Sequence, residues 1–245
     1  MKQYEAVIKV MEKNGGFTTL AYLNQNVLKE PNCQWNTKTP FASIRRIVQD
    51  KRFFFKIKPG LWALKSYENK LPDYLKPTQH KSSEELDTYS HSYYQGLIIE
   101  IGNFKNKETF VANQDKNKTF LGKKLADMAT IKKIYEFGYK SLIKKAQTID
   151  VIWFNERKMP DSFFEIEHST NFSNSLVKFS NFQDYYAKFT IVADEHRKKE
   201  FENILNFDIF SSIKERVKFL SYEDLAEYHS KASQFSYVEK KLNFK

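Results

Sequence analysis

The apolar and polar positions near the start of the chain fall at helical spacing. Tyr4, Val7, Ile8 and Met11 recur three and four residues apart, and Asn14-Gly15-Gly16 stops that helix. Thr18 or Thr19 caps a second helix running roughly to Leu28, with Pro31 beyond it. Thr39-Pro40 reads as a cap followed by proline at the first helical position, and the third helix continues through Phe41, Ile44, Ile47 and Val48. Phe53 to Ile57 then pairs with Leu61 to Leu64 across a Pro59-Gly60 turn. Three helices and a hairpin make a winged helix over residues 1–65. Residues 66–90 carry Pro72, Pro77 and the polar run Gln79 to Ser83 without a dominant period, and read as an exposed linker.

A different pattern fills residues 91–245. His91 to Ile101 predicts a helix, with Tyr94, Leu97, Ile98 and Ile101 on one face and Glu100 beside that stripe. Thr109 to Ala112 reads as a strand, Asp115-Lys116-Asn117 as a turn, and Ile131 to Leu142 as a helix. Ile149 to Thr170 predicts two short apolar strands joined by a polar turn. Asn174 to Asp184 is the next helix, carrying Lys178. A strand at Tyr186 to Ala193, an amphipathic helix at His196 to Leu205 and a strand at Val217 to Leu220 follow. Ser221 to Asp224 caps a final helix. This order predicts an α/β (α+β) class with a mixed sheet flanked by helices.

The chemistry concentrates in the paired strands. Asp150 starts the first, and Glu165 and Glu167 lie near the end of the second. Residues two apart in a strand share a face, so the two glutamates project together while Phe164, Ile166 and His168 face the other way. Acids on a strand are often solvated surface, but the flanks VIWF and FFEIE read as buried. Carboxylates there are costly unless paired or bound to metal. Three convergent carboxylates make a hard, oxygen-rich site that suits Mg²⁺. His168 reads as a packed or hydrogen-bonded histidine. Ser169-Thr170-Asn171 either contacts a phosphate or caps the following turn, and Asp115 and Asn117 either border a cleft or only form a turn.

Charge adds a partner. The chain of 245 residues carries a net charge of +10. Residues 1–65 hold twelve Lys/Arg against four acids, and so most of that excess. A small basic module ahead of a near-neutral one is a layout for a DNA-reading domain tied to a working domain. On the third helix Thr37, Lys38, Ser43, Arg45, Arg46 and Gln49 point outward. Arginine and glutamine suit base edges, while Lys38 and the helix start at Thr39 suit phosphates. Lys56 and Lys58 on the hairpin reach the backbone in the same picture. A basic winged helix can also mediate protein contacts, because fold does not dictate function. The lone Cys33 excludes an internal disulfide framework and a cysteine-rich zinc site, and the five histidines show no metal spacing. No apolar run reaches membrane-spanning length and the first residues are charged where a signal peptide is apolar, so a soluble cytoplasmic protein is expected.

Two resemblances sharpen this reading. Trp35-Asn36-Thr37-Lys38-Thr39-Pro40, Ser43-Ile44 and Pro59-Gly60-Leu61-Trp62-Ala63-Leu64 resemble the HARE-HTH group of winged helices, associated with bacterial restriction and chromatin proteins, which implies DNA binding. Asp150 on one strand and Glu165-x-Glu167 on the next, within the element order of roughly residues 90 to 228, resemble the PD-(D/E)xK nuclease fold. The resemblance implies Asp150 as the strand acid, Glu165 as the second ligand and Glu100 as the helix acid around Mg²⁺. Ile149 stands in place of the family proline, and Glu167 where the family lysine usually stands, an ExE variant that some restriction enzymes of this fold carry. Glu167 would then ligate metal or accept a proton from water, and Lys178, Lys116 or Lys188 would supply the positive charge. The implied function is a Mg²⁺-dependent type II-like restriction endonuclease acting on double-stranded DNA, with a homodimer expected because two-strand cutting needs two active centres. The alternatives are a non-catalytic DNA-binding or regulatory protein with a degenerate nuclease fold, and a nuclease of another defence or repair system.

Overall fold

The computed structural model describes residues 1–76 and 83–244, the side chains of 83–88 excepted. The chain divides into two compact units, Met1–Lys81 with Ala226–Lys245, and Ser82–Leu225. In the first unit, helix α1 spans Gln3–Lys13, a short strand β1 Phe17–Thr19, helix α2 Leu20–Asn26 and helix α3 Pro40–Val48. Strands β2 (Phe54–Lys58) and β3 (Leu61–Leu64) form the hairpin. The Thr19 hydroxyl accepts the Tyr22 N–H at 3.2 Å and so caps α2. Gly60 takes φ +78 in the hairpin turn, a conformation open to glycine at no steric cost. Unforeseen in the sequence, β1 joins the hairpin in an antiparallel sheet of order β1-β3-β2. Val7, Met11, Leu23, Ile44, Val48 and Phe54 form its core.

The segment expected as a connector begins with two 3₁₀ turns, Lys65–Lys70 and Asp73–Leu75, and buries Leu71 and Leu75. Most of the polar run Gln79 to Ser83 lies outside the described residues.

The second unit is a five-stranded mixed sheet with helices. Helix α4 covers Ser83–Phe104 and strand β4 Glu108–Val111. A two-stranded ribbon, β5 (Thr119–Phe120) and β6 (Lys123–Lys124), leads to the short helix α5 at Leu125–Met128. Helix α6 (Lys140–Ala146), strands β7 (Val151–Phe154) and β8 (Pro160–Glu167), and helix α7 (Phe172–Ser180) follow. Strand β9 (Lys188–Ala193), helix α8 (Lys198–Leu205) and strand β10 (Val217–Ser221) complete the unit. Helix α9 (Tyr222–Lys241) then runs from this unit into the first. The strand order is β10-β9-β8-β7-β4, with β8, β9 and β10 parallel and β7 antiparallel to both its neighbours. This is the mixed α/β architecture that the pattern predicts.

One expected helix is absent. Ile131 to Leu142 stays irregular until α6, because the Ile131 N–H bonds the Thr109 carbonyl at 3.1 Å and holds the segment along the β4 edge. Its apolar residues still pack on the core, and Tyr135 donates to Glu108 at 2.8 Å.

Helix α4 approaches the sheet closely because it has glycine where it meets β4 and β7. A Cβ on Gly102 would lie 2.5 Å from Thr109 Cγ2 and 2.7 Å from Trp153 Nε1, while the Trp153 indole N–H donates to the Ile98 carbonyl at 3.2 Å. A glycine inside a helix ordinarily gains about 1 kcal/mol on replacement by alanine. Here the sign reverses. Gly102→Ala should destabilise the protein by about 1–3 kcal/mol through overpacking, measured by chemical denaturation; a stabilised variant would show that the helix backs off freely.

Candidate active site

Sheet register brings the predicted acids together. Val151 pairs with Phe164, so Asp150, one residue before β7, falls beside Glu165. Glu165 and Glu167 alternate on β8 and both meet helix α7, whose Ser175 hydroxyl bonds both carboxylates. Asp150, Glu165 and Glu167 are all buried. Their cavity, about 410 Å³ and open to solvent, is also bordered by His91, Lys118 and Lys178.

Each carboxylate has its own compensation. Asp150 Oδ2 accepts the Ile166 N–H at 2.7 Å, and Oδ1 lies 3.2 Å from His91 Nε2. Glu165 Oε2 meets Lys178 Nζ at 2.7 Å and Ser175 Oγ at 3.1 Å. Glu167 takes the hydroxyls of Ser175 and Thr170. Burial pushes the Glu165 carboxyl well above the usual carboxylate range. The nearby Asp150 charge adds to the rise, and Lys178 opposes it. Burial raises Glu167 too, against the Ser175 hydrogen bond. Burial disfavours the Lys178 ammonium, but attraction to Glu165 outweighs it and the pKa is raised. His91 behaves in the same way, with Asp150 overriding burial.

Behind Asp150 lies a second layer. His91, Asp115 and Asp150 each offer a ligand atom, all within 4.8 Å of one another, which makes them a candidate metal-binding group. Asp115 also receives Gln95 Nε2 at 2.7 Å and pairs with Lys118 at 2.7 Å. Asp115 is therefore buried beside the site and not a mere turn residue. Asn171 caps α7, its Oδ1 accepting the Ser173 N–H at 2.8 Å. His168 packs between the rings of His91, Tyr94 and Tyr222, and Tyr222 Oη lies 2.5 Å from its Nδ1.

Glu100 is the exception among the predicted acids. Successive helix residues turn by about 100° and rise about 1.5 Å, so Glu100 lies on the face of α4 opposite His91 and about 14 Å along it. It does not border the cavity; the helix contributes His91 there instead. His91 and Gln95 were legible in principle as polar residues four apart within an apolar helix, a spacing that places both on one face. Of the three candidate lysines, Lys178 touches the carboxylates, Lys116 donates to the Lys132 carbonyl at 2.9 Å, and Lys188 is exposed at the start of β9.

In the first unit, Lys38, Thr39, Arg45, Arg46, Gln49 and Lys56 are exposed, while Ser43 and Lys58 are half-buried. Arg45 lies 3.5 Å from Glu227 on α9. A groove of about 780 Å³ runs beside the start of α3, with Lys38 and Arg45 on one wall and Lys231 and Lys241 of α9 on the other. The two α9 lysines escape a reading confined to the first 65 residues.

No solved structure matches the chain. The type II restriction enzyme NmeDI of Neisseria meningitidis serogroup C is 26% identical over 178 residues, which cover 68% of this chain and 50% of that protein. The chain thus spans about half the length of the curated relative it matches. The family described as the type II restriction enzyme NmeDI C-terminal domain matches residues 70–242, including every acid of the cavity, and the chain belongs to that family.

Proposed function

We propose that this protein is a Mg²⁺-dependent, type II-like restriction endonuclease of the PD-(D/E)xK class that hydrolyses phosphodiester bonds of double-stranded DNA. The observation that carries the reading is the meeting of Asp150, Glu165, Glu167 and Lys178 at one cavity: three desolvated carboxylates, with the Lys178 ammonium against Glu165. Membership of a family named for a type II restriction enzyme supports it. In this reading Asp150, Glu165 and Glu167 hold the cation, and their all-oxygen donor set fits Mg²⁺. A divalent ion there would stabilise negative charge on the phosphate and lower the pKa of water.

The remaining roles belong to the chain itself. Lys178, reaching from α7, takes the place of the lysine that Glu167 displaces and directs its charge at the scissile phosphate. Glu167 accepts the proton of the attacking water. His91 positions Asp150. The first unit acts as a winged helix, with Arg45, Arg46 and Gln49 reading bases and Lys38, Thr39, Ser43, Lys56 and Lys58 lying near phosphates. Two-strand cutting takes two such sites, so the working species is a homodimer, acting in the cytoplasm where the DNA is.

Purified protein incubated with plasmid should give discrete fragments with Mg²⁺ and none with EDTA. Asp150→Ala or Glu165→Ala should lower the cleavage rate by about 10³-fold while DNA binding persists. Cleavage by the Asp150 variant at the wild-type rate would remove the assignment. Absence of cutting with any divalent ion, alongside intact DNA binding, would favour a regulatory protein with a degenerate site.

Arg45→Ala and Arg46→Ala should each weaken affinity for the cognate site about tenfold and relax sequence preference at the base each reads. Unchanged affinity in both would move the reading surface elsewhere.

Glu165 has a folded pKa above its ordinary value of 4.5, so the folded state holds that proton more tightly than the unfolded chain. The metal-free protein should therefore lose stability as pH rises from about 4.5 through the raised value. Melting temperatures across that range should fall for wild type and fall less for Glu165→Gln; identical slopes would show that Glu165 is not the group responsible.

A further inference from the structure

Helix α9 carries an exposed apolar stripe, whose Val238 also borders the groove beside α3. Tyr228, Phe235, Val238 and Leu242 are 38%, 68%, 41% and 57% exposed. At about 100° per residue, these four and Lys231 share an arc of about 80°. The buried face, including His229, Ser230, Ser233 and Ser236, lies diametrically opposite. That face is fastened to the first unit, with Asn24 Nδ2 donating to Ser230 Oγ at 3.2 Å and Ser233 Oγ at 3.1 Å. The helix end is also defined. Asn243 takes φ 56, the Phe244 N–H bonds the Glu239 carbonyl at 3.0 Å, and the Asn243 N–H bonds that of Lys240 at 3.4 Å. This Schellman closure keeps Leu242 in line with the stripe.

The stripe has the narrow width of a coiled-coil seam, with spacings of seven, three and four residues. Along one flank, seven residues apart, stand Glu227, Gln234 and Lys241. That order is self-complementary only when two helices run antiparallel. Glu227 of each copy then faces Lys241 of the other, and the two Gln234 side chains meet on the axis. In the same register Tyr228 packs against Val238 of the second copy, and Phe235 against the stem of Lys231. A twofold contact of this kind is isologous and closes on itself.

We infer that the exposed stripe of α9 is the surface through which two copies of this chain associate, antiparallel about a twofold axis near Gln234. The inference deepens the homodimer of the proposed function, yet its test reads molecular mass and not cleavage. A stable dimer that cuts no DNA would count against the nuclease reading alone.

The full chain should sediment as a dimer. Phe235→Asp should raise the dimer dissociation constant about 100-fold or more with an unchanged melting temperature. Lys241→Glu should raise it about tenfold by setting Glu227 against a second carboxylate, and adding Glu227→Lys should restore it. The exposed Arg45–Glu227 contact at 3.5 Å is too weak to mask that recovery. If Phe235→Asp fails to fold, the charge-exchange pair decides alone. A wild-type monomer at the highest soluble concentration would overturn the inference. So would a dimer that survives Phe235→Asp in a folded protein, or one that does not recover in the double exchange.

Discussion

Three carboxylates buried side by side repel one another and lose their water, and the second unit is organised around offsetting that cost. Asp150 is answered by a backbone N–H and an imidazole, Glu165 by an ammonium, and Glu167 by two hydroxyls. These partners come from four different elements: α4, β8, α7 and the loop after β8. Burial still pushes the carboxyls of Glu165 and Glu167 upward, against Lys178 and the Ser175 hydroxyl.

A buried arginine ties down the loop after β8. Arg197 is buried, stacks 4.2 Å over Phe172 and pairs with Glu200. From there it donates to the His168 carbonyl at 2.8 Å and the Thr170 carbonyl at 2.7 Å. Removing those two donors would free the segment that brings Thr170 to Glu167. The rim is thus held by a buried charge satisfied by Glu200 and by main-chain carbonyls.

The first unit solves a different problem. Its positive charge lies mostly outside its core, and its polar interior contacts are made by a segment from the far end of the chain. Asn24 bonds α9 residues 206 and 209 positions away. The C-terminal helix therefore serves the basic unit structurally, and adds Lys231 and Lys241 to the groove beside α3.

Much of the local structure was legible in the amino-acid order. Alternation along β8 put Glu165 and Glu167 on one face, Pro40 marked a helix start, one of Thr18 and Thr19 had to cap another (the structure uses Thr19), and the Pro59-Gly60 pair turned the hairpin. These features depend on neighbours within a few residues, which the sequence lists directly. Three others depended on contacts between distant segments. His91 faces Asp150 and Glu100 does not, because the close packing of Gly102 on Thr109 and Trp153 sets how α4 is rotated against the sheet. The apolar spacing of residues 131–142 suits a helix, but hydrogen bonding to the free edge of β4 holds its start irregular. From Ala226 on, the last helix belongs with the N-terminal unit, where the buried Asn24 bonds it. Periodicity tells which face of an element is apolar; only the assembled neighbours decide what that face meets.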